Sequence, residues 1–307
     1  MQRSSTNQIF KIAHISDLHL LSLQGVSPLS FVNKRVLGGL NLLIRRSKEF
    51  SSDVVRALIQ DLNEIEPDHV IVSGDLTNLS FPGEFELARD LLGGLRLPPT
   101  EITVVPGNHD CYTRIAALKD DFGRVFGPFF TRDFIGDNKG VEHPFPFVRV
   151  RGDVAIFGLN TARPSLPLLA VGTVGANQLE KLEALLARPD LQEKFQLVVM
   201  HHPPKSEYIH WHNRLTDAAD FAALINEVGA DLIVHGHLHR GCKDQLPGPK
   251  GPVRVIGVGS GAWLSPRDFE RRAQYHLYEI TGRTLARIRV RRLDEQGVRF
   301  RELAPVC

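Results

Sequence analysis

Five short segments of this 307-residue chain carry side chains that bind divalent metals. They are Asp17-Leu18-His19, Gly74-Asp75, Gly107-Asn108-His109-Asp110, His201-His202 and His235-Gly236-His237-Leu238-His239. A donor set of carboxylate, imidazole and amide without thiolate suits manganese, iron or zinc better than magnesium or calcium. Two such ions sharing a carboxylate can acidify a water and neutralise the charge that builds on a phosphoryl group. Asp75 is the natural bridge, because a short carboxylate after a glycine turn can present both oxygens. Asp17 and His19 are two residues apart, as are His237 and His239, so on an extended chain each pair would share a face. The chemistry these residues point to is hydrolysis of a phosphate ester.

Each cluster follows a short apolar run: KIAHIS, HVIVS, ITVVP, LVVM and DLIV. Such runs read as strands buried on both faces, and open α/β sheets place their sites beyond the carboxyl ends of strands. Between them, GEFELARDLLGGL reads as a helix with Glu84, Glu86 and Arg89 outward and Phe85, Leu87, Ala88 and Leu91 inward. FVRVRG and DVAIFGLN read as a hairpin about Gly152-Asp153. Residues 176–188 form a helix with Leu179, Leu182, Leu185 and Leu186 on one face, ended by Pro189. Gly229 caps the helix in DAADFAALINEVG. After about residue 250 the pattern alternates, which predicts strands with one solvated face. No repeat or linker interrupts the chain. The expectation is one domain over residues 1–307, its core at about 11–260, with strands of 261–307 completing the second sheet.

Hydrophobic residues make up 42% of the chain, charged residues 23%, and the net charge is +2. This is ordinary globular composition with no strong field for nucleic acid. Cys111, Cys242 and Cys307 are scattered, which suits a reducing compartment rather than a disulfide framework. MQRSSTNQIFKIAHIS lacks the apolar core of a signal peptide, and no window approaches the roughly 20 apolar residues of a spanning helix. A cytoplasmic location is expected. Residues 31–48 combine an apolar stripe (Val32, Val36, Leu40, Leu43, Ile44) with Lys34, Arg35, Arg45, Arg46 and Lys48. They are the candidate peripheral contact with the inner membrane surface, the alternative being a helix packed on the core. In residues 210–213, Trp211 could stack on a substrate or pin a surface loop. Arg287, Arg289 and Arg291 read as a solvated strand face. His14 and His69, in or beside strands, read as packed and hydrogen-bonded.

The succession D-x-H, G-D, G-N-H-D, a later histidine and G-H-x-H resembles the calcineurin-like metallophosphoesterase superfamily over about residues 11–260. GDLTN and HHPP make it most similar to the bacterial cyclic-nucleotide phosphodiesterase-type branch. That resemblance implies a four-layer α/β/β/α sandwich of mixed sheets with helices outside, and two divalent or mixed-valence ions (Mn, Fe or Zn). One ion is expected on Asp17, His19, Asp75 and His239, the other on Asp75, Asn108, His201 and His237. His201 is preferred to His202 because it directly follows its strand. The resemblance further implies in-line attack on phosphorus by hydroxide held between the ions, with His109 protonating the leaving group and Asp110 orienting His109. The expected substrate is a small phosphodiester, cyclic nucleotides first. A lipid-linked phosphodiester or pyrophosphate is the alternative that residues 31–48 motivate. A nuclease is disfavoured by the near-neutral charge, and a non-catalytic protein-binding scaffold by the complete ligand set.

Overall fold

The computed structural model describes residues 8–24, 26, 50–130, 133, 144–166, 169–264 and 268–304. Residues 31–48, His143 and Cys307 lie outside them. In chain order the elements are β1 (Ile9–Ile15), α1 (Ser52–Ile65), β2 (His69–Val72), α2 (Pro82–Leu92) and β3 (Ile102–Val104). Two short helices follow, α3 (Arg114–Lys119) and α4 (Asp121–Phe126), then β4 (Phe147–Arg151) and β5 (Val154–Gly158). The middle of the chain forms α5 (Ala176–Leu186), α6 (Pro189–Gln192), β6 (Phe195–Val199), α7 (Ala218–Val228) and β7 (Leu232–His235). It closes with β8 (Cys242–Leu246), β9 (Val253–Gly257), β10 (Gln274–Thr281), β11 (Thr284–Leu293) and β12 (Phe300–Glu302).

These strands make two mixed sheets, ordered β12-β11-β10-β1-β2-β3 and β4-β5-β6-β7-β9-β8. β1, β2 and β3 run parallel, as do β5, β6, β7 and β9. The sandwich is visible in how side chains of the second sheet sort. Val154, Ile156, Leu197, Val199 and Val234 face the first sheet, in one core with Ile12 and Ile71. Their alternates Ala155, Phe157, Val198 and Ile233 pack instead against Leu182, Leu186, Phe221 and Ile225 of α5 and α7. Helices α1 and α2 cover the outer face of the first sheet with Leu58, Leu62, Phe85 and Ala88. The period of two along each strand therefore decides which of two apolar layers a residue joins.

Five expectations are corrected. The C-terminal strands β10, β11 and β12 extend the sheet that holds β1, not the sheet of the middle strands. β10 has no solvated face in its first five residues, because it lies between β1 and β11 and under the opposite sheet. Glu84 is fully buried rather than outward, its carboxylate accepting from the backbone N–H of Asn78, Leu79 and Phe81 ahead of α2. Pro189 opens α6 instead of ending α5, which stops at Leu186; proline suits a first helical position that needs no N–H bond. Arg289 and Arg291 of β11 are ion-paired rather than solvated, while Arg287 stays exposed: Arg291 grips Asp61, and Arg289 pairs with Glu279 and Glu302. The hairpin about Gly152 and the cap at Gly229 form as expected. Among the described residues no helix is long and apolar enough to cross a membrane.

Candidate metal centre

The five clusters lie just beyond the carboxyl ends of β1, β2, β3, β6 and β7. Two neighbouring parallel sets, one in each sheet, thus deliver their turns to one edge of the sandwich. Asp17, His19, Asp75, His237 and His239 all have positive φ, between 44° and 71°. The two-residue spacings therefore work through left-handed turns, not the extended chain expected. Non-glycine residues in that region cost free energy, and such strain gathers at functional sites. Gly74 (φ 99°) and Gly107 clear the floor: a Cβ on Gly74 would collide with His201, and one on Gly107 with Asp75.

Two groups of ligand atoms result, each with its members within 4.8 Å of one another: Asp17, His19, Asp75 and His239, and Asp75, His201 and His237. Asp75 belongs to both, its Oδ2 lying 3.7 Å from His19 Nε2 and 3.4 Å from His201 Nε2. Asn108 Oδ1 joins the second group, 3.2 Å from His201 Nε2. His202 turns away to Thr161 and the Ala170 carbonyl. His109 sits edge-on to His19 with ring centroids 4.7 Å apart. All seven residues singled out as ligands are thus brought together, with His109 beside them.

Hydrogen bonds around the second group show what it is built to hold. His201 Nδ1 faces the Ser73 carbonyl at 2.7 Å, so the proton of the neutral ring sits there and Nε2 carries a lone pair. His237 Nε2 likewise faces the Asn213 carbonyl at 3.0 Å, leaving a lone pair on Nδ1, 3.3 Å from His201 Nε2. Two imidazole lone pairs, a carboxylate oxygen and an amide oxygen converge with no donor between them. Such a set suits a cation. In the first group, Asp17 Oδ1 is buried, accepts no hydrogen bond and lies 3.2 Å from His239 Nε2. Burial raises the Asp75 carboxyl, yet His201 and His109 hold it well below the usual range. For His201 burial works downward, but Asp75 and Asp17 push it up to about 9; a proton there satisfies the same convergence of acceptors.

Several contributors escaped the sequence reading. Phe50 and Trp263 form an aromatic wall against His239, with centroids at 5.7 and 5.4 Å. Tyr112 stacks on His109. No local motif marks these residues, which meet only in space. His109 Nδ1 donates to the Asn78 carbonyl at 2.6 Å. The Asp110 carboxylate binds the Thr77 and Gly107 amides instead of orienting His109, and burial with Asp75 nearby raises it to about 7. Trp211 is 70% exposed, and it is the Asn213 carbonyl of that segment that touches the centre.

The calcineurin-like phosphoesterase family model matches residues 10–241. The chain belongs to that family. It is 30% identical over 208 residues to the glycerophosphodiester phosphodiesterase GpdQ of Enterobacter lignolyticus. That match covers 63% of this chain and 56% of the relative, so the chain spans only about half the relative's length. A dimetal phosphatase from Danio rerio shares the fold with TM-score 0.61 and 13% identity, over 92% of this chain and 95% of the other. A purple acid phosphatase from yellow lupin seeds aligns at TM-score 0.55 and 14% identity, over 97% of this chain and 53% of its own. Within that family the chain carries a dimetal-type site of His and Asp residues.

Proposed function

We propose that residues 1–307 form a single metallophosphoesterase domain that hydrolyses small phosphodiesters. The observation that carries the reading is the convergence of His201 Nε2, His237 Nδ1, Asn108 Oδ1 and Asp75 Oδ2, with Asp75 shared with the first group. One ion is assigned to Asp17, His19, Asp75 and His239, the other to Asp75, Asn108, His201 and His237. When bound, the pair supplies an acidified water and compensates charge on phosphorus, whichever of manganese, iron or zinc is used. The protein's own part is positioning. Carbonyls of Ser73 and Asn213 fix the tautomers of His201 and His237, so their lone pairs point inward. The His109 backbone N–H holds Asp75 Oδ1 at 2.7 Å. With Nδ1 committed to Asn78, protonated His109 offers Nε2–H to the leaving oxygen.

The similarity to a glycerophosphodiester phosphodiesterase supports diesters and sets glycerophosphodiesters beside cyclic nucleotides as the substrates to try. A turnover screen of manganese- or iron-loaded protein on cyclic AMP, a glycerophosphodiester, a nucleotide-lipid pyrophosphate and single-stranded DNA decides among them. Metal-dependent cleavage of one of the first two is expected. Failure on these and on both monoester and diester reporters would replace the enzyme with the scaffold alternative.

A further inference from the structure

Beneath the metal centre, the interface between the sheets carries buried polar side chains that the proposed chemistry does not use. His14 of β1 is fully buried, with Nε2 2.8 Å from Ser73 Oγ and Nδ1 3.1 Å from Tyr278 Oη. Tyr278 Oη lies 3.4 Å from His276 Nδ1, and His276 lines a cavity of about 680 Å³ beside β8, β10 and β11. Register explains the run. His14 stands opposite His276 across the β1–β10 pair, so both project from the same face. Polar groups in a dry interior cost stability unless each is hydrogen-bonded, and an apolar interface would serve the packing as well.

What this run holds is Ser73. The β2 strand ends at Val72, and Gly74 then turns the chain at positive φ. Ser73 N–H still donates to the Ile15 carbonyl at 3.0 Å, but the Ser73 carbonyl has left the ladder and accepts from His201 Nδ1. The residue whose carbonyl sets the tautomer of His201 is therefore anchored through its own N–H by a backbone bond and through its side chain by the bond to His14. Asp17 and His19 are placed by different contacts: Asp17 N–H donates to the Gly74 carbonyl, His19 N–H to the Asp75 carbonyl, and Ser260 Oγ to the Asp17 carbonyl.

We infer that Ser73 and His14 are positioning residues for one metal position alone, the one that contains His201. The inference rests on the dinuclear reading above and adds an asymmetry to it. Partners that orient a ligating imidazole are worth about 10- to 100-fold in metal affinity, and here they reach only one of the two groups. Their influence should fade along the run, from Ser73 to His14 to His276.

The experiment measures manganese binding by equilibrium dialysis with elemental analysis, on wild-type protein, Ser73→Ala, His14→Gln, His14→Phe and His276→Gln. Circular dichroism checks folding. Ser73→Ala and His14→Phe are expected to weaken one of the two ions about 10- to 100-fold and leave the other unchanged. His14→Gln, which keeps a polar group near Ser73, should fall between them and wild type, and His276→Gln should match wild type. If His14→Phe does not fold, Ser73→Ala, which deletes one oxygen, decides the question. Equal weakening of both ions, or of neither, overturns the inference. Wild-type protein that binds fewer than two ions removes the dinuclear reading and the inference with it; two tight ions in both wild type and Ser73→Ala remove the inference alone.

Discussion

Asp75 is where the two ligand groups meet, and its surroundings leave it one state to adopt. Its Oδ1 is occupied by the His109 N–H, its Oδ2 faces His19 and His201, and neighbouring imidazoles keep it ionised against burial. Asp75→Asn removes the charge while keeping the shape. Turnover should drop on the order of 10³-fold or more, with bound metal depleted in elemental analysis. A variant that retained both ions and full activity would falsify the bridging role. His109 answers to a different test, because its imidazole Nδ1 is committed to the Asn78 carbonyl rather than to either ligand group. His109→Ala should keep the metal content and slow turnover by about 10² to 10⁴ for diesters with poor leaving groups. The loss should shrink as the leaving group improves; uniform slowing across a series of aryl and alkyl diesters would argue against proton donation.

At the scale of elements, the centre is a set of strand ends, and this much was legible. Apolar runs of four to six residues announce β1, β2, β3, β6 and β7, and the motifs place the candidate ligands that the fold brings together just beyond them. The left-handed turns at Asp17, His19, Asp75, His237 and His239 were not legible, because aspartate and histidine carry no signal as firm as glycine for positive φ. Phe50, Trp263 and Tyr112 could not be found either, since nothing near them in sequence looks like a motif. Glu84 was misassigned for a related reason. Helical periodicity sorts side chains by face, whereas this carboxylate folds back over the helix start and collects three amides. The same loop carries Asn78, whose carbonyl holds His109, so the cap bears on the site. Glu84→Ala should lower the unfolding free energy by about 2–3 kcal/mol in urea titrations, the cost of charged hydrogen bonds lost in a buried place. An unchanged midpoint would show that the amides find other partners.

The whole molecule is two sheets closed on an apolar interior that also encloses many imidazoles, and acid should open it. Burial drives His69 down to about 4, Glu101 opposing and Arg149 assisting, and drives His276 down to about 3 together with Lys243 and Arg292. His14 and His202 lie well below their ordinary value, and His235 and His237 fall to about 4 and 3, burial leading in each case. An unfolded imidazole titrates near 6.5, so between about pH 6.5 and 4 the unfolded chain binds more protons than the folded one. The contribution of these six imidazoles is therefore complete above that window and is lost as pH drops through it, whereas that of His201, raised to about 9, is complete below about pH 6.5 and is lost as pH rises toward 9. Asp110, raised to about 7, pulls the same way as His201, but these are two groups against six imidazoles. Urea midpoints of metal-free protein should be clearly lower at pH 5 than at pH 7, and His69→Gln should flatten part of the slope; a midpoint independent of pH would contradict the account. The central claim, that turns from both sheets assemble a paired-cation centre on Asp75, is tested most directly by a crystal grown with manganese and measured at its absorption edge. Two anomalous peaks are predicted, both touching Asp75, one beside Asp17, His19 and His239 and the other beside Asn108, His201 and His237. A single peak, or peaks that do not touch Asp75, would contradict it.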